Sequence, residues 1–420
     1  MLKQVTVDAV RGLERVAVEP AAREVAARIL SDVRHDGEQA LRKYAYVFDG
    51  LEEDQDLFLD RSDLLNALEQ IDAHTRGVLE RTAARIETFA RAQREALGAV
   101  DLPIPGGVAS HRFYPLAAAG CYAPGGRHPL PSSVLMTAVT ARVAGVSAVW
   151  VASPRPAPAT LAAAAIAGAD GLLAAGGAQA VAALARGAGP LPECDVIVGP
   201  GNRYVTAAKE LVSTERAIDM LAGPSELLVV ADGTADPATV AADLLGQAEH
   251  DDDAVPMLVG LDGLDLNAVQ AALEDQLSDL PTASAARKAL ANGFAVMADS
   301  RTEAAELCEA LAPEHLQLSI ADAATFGERL TRYGALFVGE HAAEVLGDYG
   351  AGPNHVLPTG GSARTEAGLS VLTFLRARTQ LRIDDAEGAE QLIDDAVALA
   401  RIEGLEAHAR AAERRRIGVR

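Results

Sequence analysis

Apolar positions recur at three- and four-residue steps through 21–97, in "AAREVAARILSDVRHDGEQALRKYAYVFDG" and "RSDLLNALEQIDAHTRGVLERTAARIETFARAQREAL". That period predicts a mostly helical segment. From "PLAAAGCYAP" to "SELLVVAD" the pattern changes, and short apolar runs at 116–122, 148–153, 172–175, 195–198 and 226–231 alternate with helical stretches. Such alternation predicts buried strands of a parallel sheet joined by crossover helices. A second strand set is expected in "VPMLVGL", "GFAVMAD", "LQLSI" and "GALFVGE". Asp236-Pro237 reads as an N-cap followed by proline at the first helical position, opening a helix that ends in "GQAEHDDDAV". The tail from about 380, "EGAEQLIDDAVALARIEGLEAHARAAERRRIG", reads as helix without a strand partner, so its apolar face must dock elsewhere.

Length and charge narrow the class. At 420 residues the chain exceeds the size of a single core, so two or more lobes are expected. Apolar residues at 49% and charged residues at 23% describe a globular protein. The net charge of −22 is spread along the chain, which argues against a nucleic-acid or anionic-membrane surface. Small molecules or further copies of the chain are the expected partners. Cys121, Cys194 and Cys308 are too scattered for a disulfide framework, and no C-x-x-C spacing exists. The N-terminus lacks a continuous apolar run with a cleavage site, and glycine and aspartate interrupt the alanine-rich stretches. A cytoplasmic chain without a membrane span is expected.

Five polar clusters could carry chemistry. In "GQAEHDDDAV", Gln247 and His250 stand nearly one helical turn apart and would project from one face. Ser225 lies at the mouth of a predicted strand in "AGPSELLVV", and Glu314 and His315 sit side by side in "APEHLQLSI". Asp348 and His355 belong to the Gly- and Pro-rich "LGDYGAGPNHVLPTGGSART", and Glu403 and His408 to "IEGLEAHAR". Each has a plain reading as a turn or an exposed helix face. Together, an Asp, a Gln and two His can coordinate a divalent ion. Three strand–turn–helix passages, "GCYAPGGRHPLPSSVLM", "GGAQAVAALA" and "VGPGNRYVTAAKELV", could hold a phosphate on backbone donors, yet none matches the G-x-G-x-x-G dinucleotide fingerprint. Cys121 invites a covalent-thiol hypothesis, but no base adjoins it, and a small buried side chain is the better reading.

In order along the chain, "YAPGGRHPLPSSVLM", "GGAQAVAALA", "VGPGNRYVTAAK", "IDMLAGPSELLV", "DLLGQAEHD", "PEHLQL", "GDYGAGPNHVLPTGGSART" and "EGLEAH" resemble histidinol dehydrogenase over nearly the whole length. The resemblance implies an α/β fold of two incomplete Rossmann-like lobes, like those of aldehyde dehydrogenases, with small helical terminal elements swapped between the subunits of a homodimer. It implies divisions at 1–19 (an arm), 20–117 and 227–369 (the first lobe in two parts, the second with the metal and catalytic residues), 118–226 (the cofactor-side lobe) and 370–420 (the swapped tail). It implies oxidation of L-histidinol to L-histidine through L-histidinaldehyde with two NAD and a Zn2+ ion. The matching metal ligands are Gln247, His250, Asp348 and, from the other subunit, His408. Glu314 and His315 match the catalytic pair. Ser225 and Glu403 match substrate-binding positions, shared with Gln247, His250, His315, Asp348 and His408. Tyr122, Gln179 and Asn202 match cofactor residues, and His355 lies in the matching loop. One departure is His128, which stands in the cofactor loop where a smaller residue is expected. Two competing readings are a dehydrogenase of another small polar alcohol and a non-catalytic metal-binding oligomer. Glu403 speaks against the first, and the retained Glu314, His315 and ligand set against the second.

Overall fold

The apolar run Glu226–Ala231 is buried along its whole length because parallel strands flank it on both sides. It is seen in a computed structural model that describes residues 1–13, 18–52, 54–125 and 129–416. Its sheet runs in the order Lys3–Gln4, Phe294–Met297, Val255–Gly260, Glu226–Ala231, His315–Ser319, Ala335–Val338, all parallel. Alternate residues of the central strand feed opposite faces. Leu228 and Val230 pack with Met257, Leu307 and Leu316, while Leu227 and Val229 pack with Leu244, Leu258 and Leu273. Helices cover both faces, so both registers of the strand must be apolar, and the run reads as continuous rather than alternating.

A second sheet has the order Phe58–Asp60, Gly171–Leu173, Ala148–Ala152, Ala118–Tyr122, Val196–Val198, Ala217–Ile218. Its strands are parallel except Phe58–Asp60, which pairs antiparallel with Gly171–Leu173 at the edge. That short strand interrupts the segment expected to be helical, between helices Glu38–Tyr44 and Arg61–Gln70. The Pro131–Ala144 helix is buried from Ser133 through Ala141, so its sequence is mostly apolar, and the buried Thr137 and Thr140 hydroxyls donate to carbonyls of their own helix. The nine strands expected from apolar runs are all present.

The tail holds the expected helices, Glu390–Ile402 and Glu406–Glu413, but its start corrects the expectation that it has no strand partner. Leu375–Ile383 is a strand, paired antiparallel over nine residues with Gly107–Pro115, which in turn pairs with Val100–Ile104. "LRARTQLRI" sets Leu375, Ala377, Leu381 and Ile383 on one face and Arg376, Arg378, Gln380 and Arg382 on the other, the period of a strand, and in the single chain the residues from Ala377 on are exposed. This sheet and the helices Glu390–Ile402 and Glu406–Glu413 form a unit made of 92–115 and 375 onward. Its small core holds Ala389, Ile393, Val397 and Ala409. Both large parallel sheets belong to the other unit, 1–91 with 116–374. No helix among the described residues is long and apolar enough to cross a membrane.

Candidate metal and catalytic site

In a parallel sheet each helix returns the chain to the edge where the next strand begins. The Pro237–Ala248 helix therefore delivers Gln247 to the edge at which its neighbouring strands start. Asp236 caps this helix by accepting from the N–H groups of Ala238 and Thr239, and Val240, Ala241, Leu244 and Leu245 anchor it. The turn after it carries His250, and Val255 N–H then donates to Ser225 C=O at 2.9 Å. Ser225 and Glu226 open one strand, and Glu314 and His315 open the adjacent one. The cluster thus lies at the amino edge of the sheet, opposite to the carboxyl edge where such sheets usually bind ligands.

Glu314 accepts from Ser225 Oγ at 2.8 Å and from Glu226 N–H at 2.8 Å. His315 Nδ1 lies 3.0 Å from the Glu226 carbonyl oxygen, and a carbonyl can only accept, so Nδ1 carries a proton. In the neutral ring Nε2 is then the free lone pair, and it stands 3.5 Å from Asp348 Oδ1. Asp348 Oδ2 lies 3.5 Å from His250 Nε2. Glu344, one helical turn before Asp348, places Oε1 3.6 Å from His315 Nδ1. Gln317 braces this short helix, accepting from Glu344 N–H at 3.3 Å and donating to Asp243.

Burial pushes the Glu314 carboxyl up to about 7 and the Glu344 carboxyl likewise to about 7. Burial opposes charge on His315, but the Glu344 and Glu314 carboxylates outweigh it and hold the ring well above the ordinary histidine value. Asp348 is held far below the usual carboxylate range, because His250 and His315 outweigh its burial. His250 is raised in turn by Asp348.

This donor set fits a divalent cation. Gln247 is fully buried, yet neither its Nε2 nor its Oε1 has a hydrogen-bond partner, a costly state for an amide. His250, Glu344 and Asp348 each bring one ligand atom within 4.8 Å of the others. Glu344 escaped the sequence reading. The signal was the spacing of Glu344 and Asp348, four apart on one helix face.

Of the remaining expected residues, Glu403 and His408 belong to the second unit, both exposed in the single chain. Tyr122 ends its strand, and its hydroxyl accepts from Gly177 N–H at 3.1 Å. Gln179 is buried and donates to Asp49 at 3.1 Å, which also accepts from Gly176 N–H at 2.9 Å. Asn202 caps the Arg203–Val212 helix through Tyr204 and Val205 N–H. These three stand at the carboxyl edge of the second sheet, with Asp49 as a partner that no motif pointed to. His355 stands between the Glu344–Asp348 and Pro131–Ala144 helices: Nδ1 is 2.9 Å from Asp348 C=O, and Nε2 is 3.4 Å from Ser133 Oγ. His128 lies outside the described residues. Cys121 is fully buried and its thiol is pushed up to about 12 by that burial, so it stays an unreactive core side chain.

The histidinol dehydrogenase family model matches residues 14–416. A histidinol dehydrogenase of Thermus thermophilus is 45% identical over 407 residues, 97% of each chain. One from Haloarcula marismortui is 42% identical over 408 residues, covering 96% of this chain and 95% of its own. The crystal structure of histidinol dehydrogenase from Elizabethkingia anophelis superposes with a TM-score of 0.91 at 30% identity, covering 99% of this chain and 98% of that one. Agreement over the full length in both sequence and fold leaves one conclusion: the chain belongs to the histidinol dehydrogenase family and is an oxidoreductase.

Proposed function

We propose that the protein oxidises L-histidinol to L-histidine by way of L-histidinaldehyde, using two NAD and a zinc ion, as the closing steps of histidine biosynthesis in the cytoplasm. The observation that carries this reading is the buried Glu314–His315 pair set against the unpartnered Gln247 amide and Asp348. Gln247, His250 and Asp348 would hold the metal, with His408 of a second subunit. When bound, zinc would fix the neutral imidazole and amine nitrogens of the substrate by its charge, and NAD would accept the electrons of each oxidation.

The chain's own residues manage the protons. In its neutral form His315 would receive the alcohol proton at Nε2, the ring nitrogen left with a lone pair when Nδ1 donates to the Glu226 carbonyl, and the neighbouring carboxylates that raise its basicity would hold the proton there. Glu314 takes a proton from the water that hydrates the aldehyde. A carboxyl raised to about 7 is a far better base near neutrality than an ordinary one. Ser225 keeps Glu314 in place. His315 then serves the second oxidation, and a site that completes both steps keeps the reactive aldehyde from escaping. Tyr122, Gln179 and Asn202 would line the cofactor site. The two parallel sheets would form the cores of two incomplete Rossmann-like lobes.

The functional unit in this reading is a homodimer whose tails are swapped, bringing Glu403 and His408 to the partner's site. The second unit supports it by leaving large apolar side chains exposed, among them Leu102 at 59%, Leu381 at 68% and Ile402 at 81%. The test strips the metal with a chelator, restores zinc, and follows NADH formation with histidinol and other small polar alcohols. Zinc-dependent formation of two NADH per histidinol is expected. Equal turnover of the other alcohols, or full activity without metal, would overturn the proposal.

A further inference from the structure

A buried ion pair lies beneath the loop that follows the Val196–Val198 strand, and the chemistry above does not use it. Lys209 and Asp219 are paired with side chains 2% and 0% exposed. Both grip the same residue: Lys209 Nζ donates to Gly199 C=O at 3.0 Å, and Asp219 Oδ2 accepts from Gly199 N–H at 2.7 Å. Gly199 has φ +115°, and a Cβ there would overlap the carbonyl oxygen of Tyr122. The backbone is therefore pressed against Tyr122 at a point where only glycine fits. Three residues on, Asn202 caps the Arg203–Val212 helix, and that helix carries Lys209 back to Gly199. Strand end, cap and helix close a loop whose tie is the ion pair.

The segment after Asp219 leads straight to the catalytic pair. Thr206 Oγ1 donates to Ala222 C=O, Gly223 N–H donates to Thr359 Oγ1, and Ser225 Oγ and Glu226 N–H donate to Glu314. Taking two charges out of water costs about as much as their attraction returns, so such a pair is weak evidence of a stability role. Its geometry favours conformational control instead.

We propose that Lys209 and Asp219 are positioning residues for the dinucleotide: by fixing Gly199 against Tyr122 they set where Tyr122 and Asn202 stand to receive it. This rests on the reading of Tyr122, Gln179 and Asn202 as cofactor residues, and the experiment separates the two. Calorimetry measures the Kd for NAD of the zinc-loaded wild type and of K209M, K209R, D219N, N202A and D232N. Metal content, melting temperature and the KM for histidinol are recorded alongside.

K209M removes the charged donor to Gly199 and is expected to raise Kd about tenfold, the effect of losing one charge-assisted hydrogen bond. Metal content and the KM for histidinol stay at wild-type level. K209R keeps donor and charge and restores most of the affinity. D219N keeps an acceptor for Gly199 but releases the lysine. It raises Kd several-fold and carries the test if K209M does not fold. D232N breaks the ion pair that the buried Asp232 of the other sheet makes with the half-exposed Arg301, so it lowers the melting temperature without moving Kd. Unchanged Kd in K209M and D219N, with N202A weakened, overturns the positioning role alone. If N202A binds NAD normally while K209M does not, the assignment of Asn202 falls and the role of the ion pair stands. If none of the three changes Kd, both fall.

Discussion

At the scale of single residues, the site is governed by which atoms lack a partner. Gln247 offers two buried amide atoms with none, and Asp348 has two imidazoles competing for it. Both conditions are relieved by a cation, since metal ligands bind in their deprotonated forms. His250→Ala and Asp348→Ala are each expected to lose bound metal and activity together. Metal analysis decides, and full zinc occupancy in both variants would remove them from the ligand set. In the proposed reaction Glu314 has a different task. Glu314→Gln keeps an acceptor for Ser225 but cannot take a proton from water, so the aldehyde-to-acid step should slow far more than alcohol oxidation. Kinetics started separately from histidinol and from histidinaldehyde would expose equal losses in both steps, which is the outcome against this role.

Whole elements set how firmly those residues are held. The Pro237–Ala248 helix carries Gln247 on its last turn and is held by Leu244, which is completely buried. Leu244→Ala should cost about 2–5 kcal/mol of stability, the range for a truncated core leucine. The melting temperature and the affinity for added zinc should fall together, and a loss of stability with zinc affinity untouched would separate the helix from the metal. At the other end of the same sheet, Asp232 ties the end of the Glu226–Ala231 strand to Arg301 at 2.9 Å and to the N–H of Ala321. Burial alone would raise its carboxyl, but Thr234, Arg301 and the backbone donors lower it from 3.8 to about 2. A depressed carboxyl stabilises the fold fully above its unfolded value and loses that contribution as the pH falls through the folded value. Because Arg301 stands 36% exposed, solvent screening holds the contribution to about 1 kcal/mol. Melting of wild type against D232N should show a gap that is constant above about pH 5 and closes towards pH 2, by the linkage of proton binding to folding. A gap independent of pH would mean that Asp232 contributes no charge.

For the whole molecule, the question is whether one chain makes a complete site. Glu403 and His408 stand on a unit whose sheet joins 92–115 to the tail and on which Leu102, Leu381 and Ile402 lie open in the single chain. With swapped tails, His408→Ala and His250→Ala chains should each be inactive alone and regain activity when mixed and allowed to exchange subunits. In the mixed dimer one site then carries both lesions and the other carries neither. Ligation within one chain would leave a lesion in each site and return no activity. Mixed dimers demonstrated in an inactive mixture would therefore rule out the shared site.

Much of this was legible along the chain, for a local reason. A strand covered on both faces must be apolar in both registers, so Glu226–Ala231 and Ala118–Tyr122 announce themselves as runs. The cap at Asp236 is equally local, because its side chain bonds N–H groups two and three residues ahead. The eight motif blocks carried the family, since their order and content survive without any knowledge of contacts. Other features depended on partners far away in the chain. Leu375–Ile383 became a strand because Gly107–Pro115 pairs with it across some 270 residues, and Phe58–Asp60 because the edge of Gly171–Leu173 receives it. The raised carboxyl of Glu314, the orphaned amide of Gln247 and the meeting of Lys209 with Asp219 under Gly199 exist only once separate elements are packed together. Hydrophobic period is written into neighbours along the chain. Desolvation and charge pairing belong to neighbours in space, and only the tertiary structure chose those.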